Sequence, residues 1–96
     1  MEDKEDVLRV LREAKSRFQD QLAIQRLGLF GSYASGTAGT ASDVDVLVDF
    51  ENVTFDNYMN LKFYLEDSLG RKVDLVMSRN IKPRLKESIL RGVIDA

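Results

Sequence analysis

Residues Val44 to Phe50 read Val-Asp-Val-Leu-Val-Asp-Phe, and no other stretch constrains the fold of this chain so sharply. Val44, Val46, Leu47, Val48 and Phe50 make it the clearest strand, apolar enough toward its end to be buried on both faces. A second strand is expected at Arg26–Phe30, stopped by Gly31, and a third at Lys72–Met77, where Val73, Leu75 and Met77 alternate with Asp74 and Val76. Between the second and third strands lies a full helix, Thr54–Leu69, ended by Gly70. A crossover of that kind normally joins parallel strands. The first two strands run antiparallel if Ser32, at the end of one, is to meet Asp43, at the start of the next.

Helices bracket this unit. Val7, Leu11, Ala14, Phe18 and Leu22 recur at helical spacing from about Asp3 to Asp20, with Asp3 able to cap the start. Pro83 suits the first turn of a last helix whose buried face is Leu85, Ile89 and Val93, flanked by Leu90 and Ile94. Residues 32–42, small and glycine-containing, predict a turn or short helix followed by an exposed loop. The expectation is a single α+β domain over residues 1–96: a small mixed three-stranded sheet with flanking helices.

Composition narrows the chemistry. The chain has 96 residues, with no Cys and no His. Disulfides and thiolate metal sites are excluded, and so are the commonest general base and transition-metal ligand. Acid–base or metal chemistry must rest on carboxylates, which favours Mg²⁺ over zinc. No apolar stretch approaches the length of a membrane helix, and the acidic start lacks a signal core, so a cytoplasmic protein is expected. The net charge of −2 argues against general nucleic-acid binding. Residues 1–70 carry 7 basic against 13 acidic side chains, whereas residues 71–96 carry 7 against 3. That basic segment could meet a triphosphate or an acidic partner, although a solvated helix face accounts for most of it.

Asp43 and Asp45, two residues apart on one strand, present their oxygens to one spot. Parallel strands two and three bring Asp74 to the same place. Like charges held together are costly unless a cation sits between them. Asp49, on the same face but further along, is read as structural or at the rim. Gly31 lets the backbone approach a phosphate closely, and Ser32 starts a short helix whose N–H groups favour an anion. No Gly-Lys-Ser/Thr follows, so this is not a P-loop. Tyr33 could stack on a base or pack on the sheet edge. Tyr58 reads as core, and Tyr64, off the main stripe, as exposed or at an interface.

The run Leu29-Phe30-Gly31-Ser32-Tyr33-Ala34-Ser35-Gly36, followed by Ser42-Asp43-Val44-Asp45-Val46-Leu47-Val48-Asp49-Phe50, resembles the minimal nucleotidyltransferases of the DNA polymerase β-like superfamily. These are MNT-domain proteins, often antitoxins paired with a HEPN-domain toxin. Val73-Asp74-Leu75-Val76 and the basic helix at Pro83 resemble the family's third-carboxylate strand and closing helix. The resemblance covers about residues 24–94. It implies Gly31 and Ser32 as nucleotide-binding residues, Asp43 and Asp45 as a metal-binding pair, and Asp74 as a third carboxylate that can hold metal and act as base. It further implies Mg²⁺-dependent transfer of AMP from ATP, or of another nucleoside monophosphate, to a tyrosine of a HEPN toxin. The chain departs from the family in one place: Ser35 stands where an Arg is common, and Arg79 or Lys82 are candidate substitutes.

Two rivals accompany this reading. One is a binding module that neutralises a toxin by covering it and transfers nothing. The other is transfer to a small molecule, for which no acceptor-binding domain is visible; a homodimer supplying the missing walls would revive it.

Overall fold

A computed structural model gives the placement of residues 4–37, 43–51 and 54–96. In chain order the elements are α1 (Lys4–Leu22), β1 (Ile24–Phe30), α2 (Gly31–Ser35), β2 (Val44–Phe50), α3 (Phe55–Leu69), β3 (Val73–Val76), a 3-10 turn (Ser78–Asn80), α4 (Pro83–Arg91) and β4 (Ile94–Asp95). The expected cap Asp3 and the loop over residues 38–42 lie outside the described residues.

The sheet is mixed and ordered β3-β2-β1-β4. β2 is antiparallel to β1 and parallel to β3, as the two connections require. Alternation along β2 sends Val44, Val46, Val48 and Phe50 to the helical side, where they join Leu27 and Leu29 of β1 and Val73 and Leu75 of β3. α1 closes this core with Val7, Leu8, Leu11 and Ala14, and α3 with Leu61, Leu65 and Leu69. Each leucine so buried contributes about 1.5–3 kcal/mol by leaving water. Phe18 and Tyr64 meet edge to face between α1 and α3, their ring centroids 5.0 Å apart. Tyr64 is thus an interhelical residue, its ring lying 5.5 Å beneath the Arg17 guanidinium.

α3 begins at Thr54, whose hydroxyl accepts the Asn57 N–H at 3.0 Å. It ends at Gly70, whose left-handed backbone (φ +63°) is the conformation glycine adopts without steric cost. No helix among the described residues is long and apolar enough to cross a membrane.

The carboxyl end departs from expectation. α4 stops at Arg91 and carries no fully buried residue, and Leu85 is 47% exposed. Val93 and Ile94 do not extend a helix. They run out into β4, a fourth strand that pairs with β1 through Gly28↔Asp95 and Leu29↔Ile94. The cause is Gly28. A Cβ there would stand 2.5 Å from Val93 Cγ1, so the missing side chain is the notch that receives the tail. Arg26 Nε donates to Asp95 at 2.9 Å, and the Ala96 N–H donates to the Leu27 carbonyl at 2.9 Å.

Candidate active site

The site forms where β1 ends and β2 and β3 begin. Phe30 is paired with Asp45 across the antiparallel ladder, so the turn at Gly31 lies against the start of β2. Gly31 holds φ +72°, and a Cβ built on it would fall 2.1 Å from Asp45 Oδ2. Glycine is therefore required twice over, by the backbone angle and by the carboxylate resting on its α-carbon. α2 follows at once. Its Ser32 carbonyl accepts the Thr37 N–H at 2.9 Å and the Ser35 hydroxyl at 3.2 Å, which ties the short helix into a closed turn.

Asp45 and Asp74 are register partners in the parallel pair β2/β3. Partners in register point to one face about 4.8 Å apart at the backbone. Asp43, two residues before Asp45, shares that face at the mouth of β2. Asp43 and Asp74 are exposed and Asp45 is half-buried. The Asp45 carboxyl is pushed above its ordinary range, first by burial, then by the charge of Asp74, then by that of Asp43. Asp43 and Asp74 thus both act on Asp45. Among the described residues no group of three acidic side chains is drawn tightly enough to hold a metal ion as it stands.

Asp49 does not join them. Its Oδ1 accepts the Ser78 N–H at 3.1 Å and the Ser78 hydroxyl at 2.7 Å, pinning the turn that leaves β3. This is the structural part expected for it. Arg79 lies within that turn, next to Ser78 and so nearer Asp49 than Asp45. The two aspartates are four residues apart along β2, about 13 Å. Arg79 is therefore poorly placed to substitute for a cation at position 35.

Tyr33 is 5% exposed and belongs to the core, which settles its packing role. Over its ring, 5.8 Å from the centroid, stands the Arg71 guanidinium. Tyr58 is half-buried, and its hydroxyl donates to the Leu75 carbonyl at 2.5 Å on the outer edge of β3. Burial and the charge of Asp74 push that phenol upward.

Sequence reasoning thus located the acids and the glycine turn but overlooked the position of Arg71. Its only local signal is adjacency to the Gly70 stop. Proximity to Tyr33 is a contact across the fold.

Comparison with known proteins gives the family. A match to the nucleotidyltransferase domain family spans residues 8–95. The protein adenylyltransferase MntA of Thermococcus cleftensis is 37% identical over 91 residues, covering 94% of this chain and 92% of that protein. A solved structure assigned to the minimal nucleotidyltransferases superposes with a TM-score of 0.80 at 41% identity, covering 97% of this chain and 95% of the other. A chain from a toxin–antitoxin crystal structure with AMP-PNP shares the fold at a TM-score of 0.70 and 24% identity, covering 98% of this chain and 72% of that one. With nearly its whole length matched, and with a glycine turn set against paired aspartates, this chain belongs to the nucleotidyltransferase domain family, as one of its minimal enzymes.

Proposed function

We infer that this chain transfers AMP from ATP to a protein hydroxyl, a tyrosine of a HEPN-type toxin, and thereby acts as that toxin's antitoxin. The observation that carries the reading is the register Asp45↔Asp74 beside Gly31, which sets an acidic pair next to a tight glycine turn. The name of the Thermococcus relative supports AMP as the group and protein as the acceptor. The toxin–antitoxin structure with AMP-PNP supports ATP as the donor and a toxin as the partner.

The donor set fits Mg²⁺. Asp43, Asp45 and Asp74 offer oxygen only, and their mutual repulsion marks a place where positive charge is stabilised. Asp43 and Asp74 are exposed, so their carboxylates can reorient toward an ion at little cost. Bound there, the metal would neutralise charge on the triphosphate and on the leaving group.

The protein's own residues divide the remaining work by position. Gly31 and Ser32 hold the phosphates against the end of the sheet. Asp45, half-buried beneath Gly31, is the fixed acid. Asp74 lies on the edge strand and is exposed, so a hydroxyl presented by another protein can reach it. The acceptor oxygen attacks the α-phosphorus and gives its proton to Asp74. The bond from that phosphorus to the bridging oxygen breaks, and pyrophosphate leaves with the electron pair.

The test incubates chain and HEPN partner with α-labelled ATP and Mg²⁺. Label on the partner, lost in Asp43→Asn/Asp45→Asn and in Asp74→Asn, is the expected result. Toxin neutralisation that survives these changes with no label transferred would establish the covering mechanism instead.

A further inference from the structure

We propose that the groove along the outer edge of β3 docks the protein acceptor, and that it takes an apolar side chain lying within about three residues of the acceptor tyrosine. The inference rests on the nucleotidyl-transfer reading above and adds to it the binding site of the protein substrate. An acceptor hydroxyl is a small target on a large partner. Transfer to one chosen hydroxyl needs contacts beyond the reacting oxygen, because positioning is most of what in-line phosphoryl chemistry asks of a protein.

Topology sets the two substrates on opposite sides of the acids. In the order β3-β2-β1-β4, the glycine turn ends β1, Asp45 lies on β2 and Asp74 on β3. The turn that holds the phosphates and the acid that receives the proton are thus two strands apart, about 9–10 Å. In-line displacement puts the entering oxygen and the departing pyrophosphate on opposite sides of the phosphorus. With pyrophosphate on the β1 side, the acceptor enters from the β3 side, which is a sheet edge.

At that edge lies a cavity of about 390 Å³, walled by Phe55 and Tyr58 of α3, by Leu75, Val76 and Met77, and by Asn80 of the 3-10 turn. It begins at Leu75, the residue after Asp74, and reaches Met77, about 10 Å along the strand from Asp74. An extended segment covers that distance in about three residues. A tyrosine whose hydroxyl meets Asp74 therefore carries a near neighbour over the groove. Phe55 is 77% exposed at the rim. Its ring has no part in the core and is free to close over an incoming apolar group.

The edge itself decides how the segment is read. The Val73 N–H donates to the Glu66 carboxylate at 3.0 Å, and the Leu75 carbonyl accepts the Tyr58 hydroxyl at 2.5 Å. Both outward backbone groups are taken by side chains of α3, which closes the edge to a further strand at these points. Recognition falls instead to a side chain in the groove, with Tyr58 as its floor beside the acid-bearing strand.

The experiment uses the full chain, its HEPN partner, α-labelled ATP and Mg²⁺, and measures KM for the partner and for ATP separately. Phe55→Ala is expected to raise the partner KM by about 10- to 30-fold, the loss of one buried aromatic anchor, with the ATP KM and kcat within about threefold. Asn80→Glu sets a charge at the mouth and should act in the same direction. Phe55 and Asn80 are both exposed, so neither change disturbs the core. Phe63→Ala removes an exposed aromatic of α3 outside the groove and should leave both constants within about twofold. Alanine at one apolar position near the partner's acceptor tyrosine should reproduce the loss, and should add nothing to it in the Phe55→Ala background. An unchanged partner KM in both groove variants overturns the docking site, and so does an equal loss in Phe63→Ala. A raised ATP KM with the partner KM unchanged gives the groove to the nucleotide and overturns it likewise. In each of these cases label transfer by the wild-type chain leaves the transferase reading intact. A wild-type chain that transfers no label overturns both.

Discussion

Substituting Gly31 by alanine tests the central geometry, because two separable costs meet at that α-carbon. The first is the backbone. At φ +72° an L-residue loses about 1–2 kcal/mol relative to glycine. The second is steric. The new Cβ would stand 2.1 Å from Asp45 Oδ2, 3.0 Å from its Cγ and 3.1 Å from its Cβ. The carboxylate must rotate away, at about 0.5–1.5 kcal/mol for a poorer rotamer. The expected loss is thus about 1.5–3.5 kcal/mol in urea unfolding. In an Asp45→Ala background the oxygen and Cγ are gone, and the same change should cost little more than the backbone part, since only the Cβ contact at 3.1 Å remains. The coupling energy should then be about 0.5–1.5 kcal/mol, within the usual range for residues in contact. The single variant should also lose transfer while remaining folded, since its displaced Asp45 no longer stands beside Asp74. Equal costs in both backgrounds, or an active Gly31→Ala enzyme, would refute the claim that Gly31 exists to admit Asp45.

Three further outcomes follow from other contacts. Asp45 has a carboxyl raised in the fold, so folding favours its protonated form. Its contribution to stability is present at low pH and is lost as pH rises through the raised value. Asp45→Asn, free of divalent ion, should therefore melt higher than wild type at pH 7, with the gap closing near about pH 3; a lower melting point at pH 7 contradicts this. Asp49→Ala releases the Ser78 N–H and hydroxyl and should cost about 1–2 kcal/mol in denaturant unfolding while nucleotide transfer stays near wild type. Gly28→Ala places a methyl against Val93 and the Ile94 carbonyl. It should destabilise by about 1–3 kcal/mol and speed hydrogen exchange at the Ala96 amide, which bonds to Leu27.

Much of the architecture was legible because its signals are local. The apolar run Val44–Phe50, the stop at Gly70 and the stripe Leu61, Leu65, Leu69 each specify an element from neighbouring residues alone. The helix between β2 and β3 makes them parallel, and that parallel pairing by itself places Asp74 beside Asp45. The fourth strand was missed because the decisive residue, Gly28, carries its message as an absence. A missing side chain in β1 becomes meaningful only when Val93, 65 positions later, fills the notch. The same limit made Leu85 look buried: helical periodicity shows which face is apolar, not whether anything lies against it.

The residue types and their spacing were enough to determine the acidic trio, the glycine turn, the chain order of the elements and hence the class of chemistry. Only the folded chain decided that Asp45 rests on the Gly31 α-carbon, that Asp49 is committed to Ser78, and that Arg71 stands over Tyr33. Periodicity and turn preferences are properties of adjacent residues and can be read along the chain. Side-chain contacts between distant segments depend on register and packing, which exist only once the sheet has closed.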